Sequence, residues 1–166
     1  MKTWLLILLI GAHIALGQFM RLYPIVSSVH AYLILGLGIF FALNNQRANI
    51  AKVAAYIVAS EVLWRMTHAR IFWEFGKYAL CAIFGLNLIT RGWKKPFLPI
   101  LYFSFLLPST ILLPAMVSWV EMNFAGDVSF NLSGPFTLML SSLFFFKTKL
   151  QEDEMKDLLT VFLRII

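Results

Sequence analysis

The chain has 166 residues, 60% of them hydrophobic and 13% charged, with a mean hydropathy of +0.80. A water-soluble domain carries about 25% charged residues, so this balance excludes an ordinary soluble domain and points to a chain solvated by lipid. The net charge of +6 is not a nucleic-acid footprint, because the bases fall in short connections between apolar runs, where they set orientation and meet anionic headgroups.

The first run, "WLLILLIGAHIALGQFM" at 4–20, follows a lone Lys2 and reads as a first membrane helix. Its small residues Ala15 and Gly17 also fit a signal peptide, the less favoured reading. "RLYPIVSSVH" at 21–30 is expected to be a short interfacial connection, and the second span to cover 31–43, extended back to Val26. "NNQR" at 44–47 is a polar turn. A third span is expected over 50–66, a tight "THA" turn after it, and a fourth span over 71–89. "TRGWKKP" at 90–96 is a strongly basic loop, with Trp93 suited to an interface.

The fifth span, 97–119, contains Pro99, Pro108 and Pro114, each of which removes a backbone hydrogen bond, so a bent helix is expected. Residues 120–135 read as the longest polar connection, with Glu121 and Asp127 and no base. It closes on "NLSGP", a turn signal that would place Pro135 at the first position of a sixth span over 136–146, with a possible extension back through Phe130. Asn131-Leu132-Ser133 also fits the N-glycosylation pattern, although close to the bilayer. Residues 147–157 are mixed in charge and water-exposed. The final run at 158–166 reads as the start of a seventh span, or else as an interfacial helix. The expected fold is therefore all-α: a single transmembrane helical domain over 1–166, with about six spans plus the start of a seventh.

Counting bases on alternate connections orients the chain. Lys2, Arg47, Lys52, Arg91, Lys94, Lys95, Lys147, Lys149 and Lys156 share one side, which is expected to be cytoplasmic together with the N-terminus. A bacterial inner membrane is the expected location. The single cysteine, Cys81, rules out an intrachain disulfide, no run of Cys and His has metal-ligand spacing, and no cofactor is expected.

One stretch departs from this apolar pattern: "SEVLWRMTHARIFWEFGK" at 60–77. The orientation puts its charges at the outer ends of the third and fourth spans. Glu61 and Arg65 are four apart, as are Arg70 and Glu74, with Lys77 three beyond, so two antiparallel helices joined by a tight turn would gather all five charges. One reading is a set of self-neutralising ion pairs that pin the hairpin, with Trp64 and Trp73 as belt aromatics. The sharper reading has Arg65 and Arg70 holding a phosphate or pyrophosphate, with Glu61, Glu74 and Lys77 in support. Proton titration by Glu61 and Glu74 in a transporter has less support, since no second acid pair occurs at mid-depth. His13 reads as a packing residue and His30 as interfacial.

"EVLWRMTHARIFWEFGKYAL" and "FNLSGPFTLMLSSLFFF", followed by a polar stretch and another apolar start, resemble the amino-terminal half of O-antigen ligase and polysaccharide-polymerase-like membrane proteins. The resemblance covers about 61–166. It implies ten or more membrane helices, and transfer of glycans from undecaprenyl pyrophosphate without nucleotide sugar or metal. It also implies that Arg65, Arg70, Lys77, Glu61 and Glu74 bind substrate, with partners in membrane lipid, an undecaprenyl-pyrophosphate-linked glycan and further membrane helices. The family's essential Arg and His residues belong to a large outer loop and later helices that this sequence lacks. No catalytic residue is therefore assigned, and the chain is expected to be an inactive N-terminal part of such an enzyme. The alternatives are a non-enzymatic helper subunit of a membrane complex, or part of a small-solute transporter.

Overall fold

The computed structural model describes residues 3–92, 97–117, 124–148, 153, 155 and 156. Within them the chain is all-helical, with six helices: α1 (Thr3–Leu22), α2 (Pro24–Leu43), α3 (Arg47–Met66), α4 (Phe75–Arg91), α5 (Phe97–Val117) and α6 (Phe124–Lys147). It divides into two compact units, the first built on Met1–Gly76 and the second on Lys77–Lys149.

In the first unit, α1 and α2 are separated by Tyr23 alone, where a ten-residue connection was expected. The helix resumes at once because Pro24 occupies its first turn, where a missing N–H costs nothing and the fixed φ is already helical. Met20, at the end of α1, is fully buried, and Leu63 Cδ1 of α3 lies 3.5 Å from where a Cβ on Gly17 would stand. The polar turn at 44–46 forms as expected. Gln46 N–H donates to Phe41 O (3.0 Å) and Asn45 N–H to Ala42 O (3.2 Å), a Schellman closure with Asn45 left-handed at φ 56°. The end of α3 repeats it: Ala69 N–H donates to Trp64 O (2.9 Å) and His68 N–H to Arg65 O (3.2 Å), with His68 at φ 55°.

In the second unit, α4 ends at Arg91 with Gly92 left-handed at φ 67°, the usual glycine stop. Phe84 and Phe144 stack at 4.8 Å with both rings buried. The larger correction is in α6. Ser133, Gly134 and Pro135 were expected to form a turn, yet the helix runs through them without interruption from Phe124. Residues 124–135 are therefore helical rather than a polar connection, and Asn131 sits inside a helix. Pro135 leaves the Asn131 carbonyl without its helical N–H, and on either side of it Ser133 Oγ donates to Phe130 O (3.0 Å) and Thr137 Oγ1 to Ser133 O (2.7 Å). In α5, Ser104 donates to Ile100 O (2.8 Å), and Ser109 and Thr110 donate to Leu106 O and Leu107 O (2.9 Å each) around Pro108.

Apolar residues fill most of the core and also cover much of the surface. Ser27, Ser60, Thr67 and Asn87 are buried, while Ile7, Leu33, Phe40, Val62, Phe105 and Leu138 stand exposed along helix flanks. Among the described residues, two helices, Pro24–Leu43 and Val128–Phe146, are long and apolar enough to cross a membrane. At 1.5 Å per residue, twenty residues extend about 30 Å, the thickness of a bilayer core. Trp93, Lys94, Lys95, Glu121 and the run at 158–166 lie outside the described residues.

Candidate functional site

The connection between α3 and α4 is eight residues long, 67–74, rather than a three-residue turn. Side chains from the first turn of α2 hold it open. Thr67 donates its hydroxyl to Leu63 O (2.8 Å), so the Ser27 hydroxyl donates to Thr67 Oγ1 (2.6 Å). Ser28 Oγ accepts the Arg70 N–H at 2.7 Å. With these groups tied to α2, the chain does not re-enter a helix until Phe75. Arg70 and Glu74 therefore lie in the connection, and the helical face they were expected to share does not exist.

Glu61 and Arg65 meet as their spacing predicts. Arg65 Nη2 donates to Glu61 Oε1 at 2.5 Å and to the Trp73 carbonyl at 2.7 Å, and its guanidinium carbon lies 3.8 Å from the centroid of the Trp73 ring. Stacking of this kind suits the flat, weakly hydrated guanidinium far better than an ammonium. A Cβ on Gly76 would stand 2.8 Å from Glu61 Oε2, so the carboxylate rests against the first turn of α4. That is the positive end of a helix, favourable for an acid.

The other charges have separate roles. Glu74 is buried immediately before α4 and is engaged there. Arg70 is exposed. Lys77 opens the second unit, where Nζ donates to Ser133 Oγ (3.3 Å) and lies 5.2 Å from the Phe130 ring centroid.

Glu61, Arg65, His68 and Trp73, with Trp64, Phe72 and Phe75, line a cavity of about 280 Å³. Trp73 is 70% exposed at its rim. Trp64, expected as a belt aromatic, is instead completely buried and forms the floor. Its ring meets Phe75 edge-on at 5.7 Å, and Phe75 meets Tyr32 edge-on at 5.3 Å. Its indole N–H donates to His30 Nδ1 (3.0 Å), and His30 Nε2 reaches Tyr56 Oη at 3.0 Å. His30 is thus a bridge from α2 to α3 rather than a surface residue.

Sequence reasoning missed this bridge, although a signal was available. With the α2–α3 turn centred on Asn45, residue 30 falls opposite 60, and Tyr56 and Trp64 flank that point by one helical turn each.

No family model, curated protein or solved structure matches the chain. The site is therefore read from its own chemistry. A second cleft, of about 830 Å³ in the second unit, is lined by Cys81, Phe103, Ser104, Phe136, Leu140 and other apolar groups. The Cys81 thiol contacts Thr137 Oγ1 at 3.1 Å. None of the groups lining this cleft is charged.

Proposed function

We propose that the chain is a multi-span membrane protein and that the cavity at the α3–α4 connection binds a phosphorylated, lipid-carried glycan. It would do so as the binding part of a ligase- or polymerase-type enzyme whose catalytic groups lie elsewhere. The multi-span reading rests on the apolar flanks of α1, α2, α3, α5 and α6. Water does not tolerate such continuous exposure, whereas lipid requires it. The basic connections favour an N-terminus on the cytoplasmic side, and the bacterial inner membrane follows from the resemblance to O-antigen ligase-like proteins.

The observation that carries the functional reading is the cavity wall. Aromatic faces alternate there with a carboxylate, a guanidinium and an imidazole. Sugars are bound by stacking their C–H faces on rings while their hydroxyls pair with charged groups, and Arg70 adds an exposed cation for a phosphate.

The test uses the chain in lipid nanodiscs and a prenyl-pyrophosphate-linked disaccharide, with binding followed by calorimetry. Arg70→Ala and Trp73→Ala are each expected to weaken binding about tenfold, the loss of one charge-assisted or stacking contact worth about 1.4 kcal/mol. Affinity unchanged in both variants would overturn the reading.

A second reading, a non-enzymatic subunit pinned by its ion pair, is favoured by one observation. Arg65 Nη2 is already shared between Glu61 and the Trp73 carbonyl.

A further inference from the structure

The floor of the cavity has a property that its walls do not. An indole N–H can only donate, so His30 Nδ1 must accept from Trp64 and carries no proton. The neutral ring then holds its proton on Nε2 and donates it to Tyr56 Oη at 3.0 Å. Both ring nitrogens are used, and the bridge joins α2 to two points on α3 that lie two helical turns apart. It exists only while the imidazole is neutral. A proton added to Nδ1 sets two N–H groups against each other, and the Trp64 indole, which has no exposed surface, loses its acceptor. An unsatisfied buried donor costs about 1–3 kcal/mol. Trp64 must then move, and with it the floor beneath Glu61 and Arg65.

We propose that His30 is a proton-sensitive latch on the cavity floor: neutral His30 holds Trp64 in place, and protonation releases it. The titratable groups facing His30 are His13 from α1 and Tyr56 from α3. The imidazole packs against both partners, with ring centroids 5.7 Å apart for Tyr56 and 6.0 Å for Trp64. The latch is independent of what the cavity binds.

The test is nuclear magnetic resonance of the full chain in nanodiscs, with the Trp64 indole N–H assigned by its disappearance in Trp64→Phe. The long-range histidine nitrogen spectrum at pH 8 is expected to show His30 with Nδ1 unprotonated. Between pH 8 and pH 5, a window that spans the ordinary imidazole range near 6.5, the Trp64 indole resonance is expected to shift. In His30→Gln the side chain still offers one acceptor and one donor but does not titrate, so the resonance should hold still. A proton on Nδ1 at pH 8 overturns the latch, as does an indole resonance unmoved by pH in the wild type. A shift equally large in His30→Gln would come from a group other than His30 and overturn it too. If His30→Gln does not fold, the two wild-type measurements decide alone.

Discussion

The two units solve the same problem with different chemistry. The first joins its helices with directional contacts: the Ser27–Thr67 and Ser28–Arg70 bonds, the Trp64–His30–Tyr56 bridge, and the stacked Glu61–Arg65–Trp73 group. The second also has directional contacts between α4 and α6, Lys77–Ser133, Tyr78–Ser129 and Cys81–Thr137, but beside them lie the Phe84–Phe144 stack and a cleft with no charged group in its lining. What differs is the charge those contacts carry: a carboxylate, a guanidinium and an imidazole in the first unit, against hydroxyls, a thiol and one ammonium in the second. The charged cavity accordingly belongs to the first unit and the uncharged cleft to the second.

The largest effects should come from cutting the central ring of each unit. Trp64→Ala removes a fully buried indole and leaves His30 Nδ1 without its donor, which should cost about 3–5 kcal/mol. Phe144→Ala also removes a fully buried ring but strands no hydrogen-bond partner, so it should cost less, about 3 kcal/mol. Reversible unfolding in mixed micelles measures both, and equal losses would erase the distinction drawn between the units.

The ion pair should be worth less. Glu61 and Arg65 side chains are 28% and 32% exposed. A double-mutant cycle with Glu61→Gln and Arg65→Met should give a coupling of about 1 kcal/mol, the upper end for pairs partly open to water. A coupling near zero would leave the Trp73 stack as the main restraint on the guanidinium.

The smallest change should be a gain. His68 holds a left-handed conformation that glycine adopts freely, so His68→Gly should stabilise the first unit by about 0.5–1 kcal/mol. A rise in the thermal midpoint of a few degrees is the expected readout. A fall would mean that the imidazole at the cavity wall contributes more than its backbone costs.

Local features were the legible ones. The helices of the first unit follow from apolar runs, the turn after α2 from Asn44 and Asn45, and the Glu61–Arg65 pair from four-residue spacing. Each depends on residues close in sequence. The 67–74 connection was not legible, because Ser27 and Ser28, some forty residues earlier, hold it open. The expected Arg70–Glu74 pair failed with it. The continuous α6 was missed for a similar reason. Ser-Gly-Pro is a turn signal in sequence, but α4 packs against this stretch through Lys77–Ser133 and Cys81–Thr137, contacts more than fifty residues apart that no local pattern reveals. Of the candidate site, the ion pair was visible in the sequence, but its aromatic floor required the hairpin geometry.

The single residue between α1 and α2 has a mechanical consequence. A loop of several residues absorbs a push, whereas Tyr23 offers only its own two soft dihedrals. A displacement of α1 along its axis is therefore delivered to the first turn of α2. Ser27 and Ser28 stand there, bonded to Thr67 and Arg70 of the connection whose other residues line the cavity. In engineering terms, α1 is a pushrod on a stiff joint, and the cavity lies one helical turn beyond it.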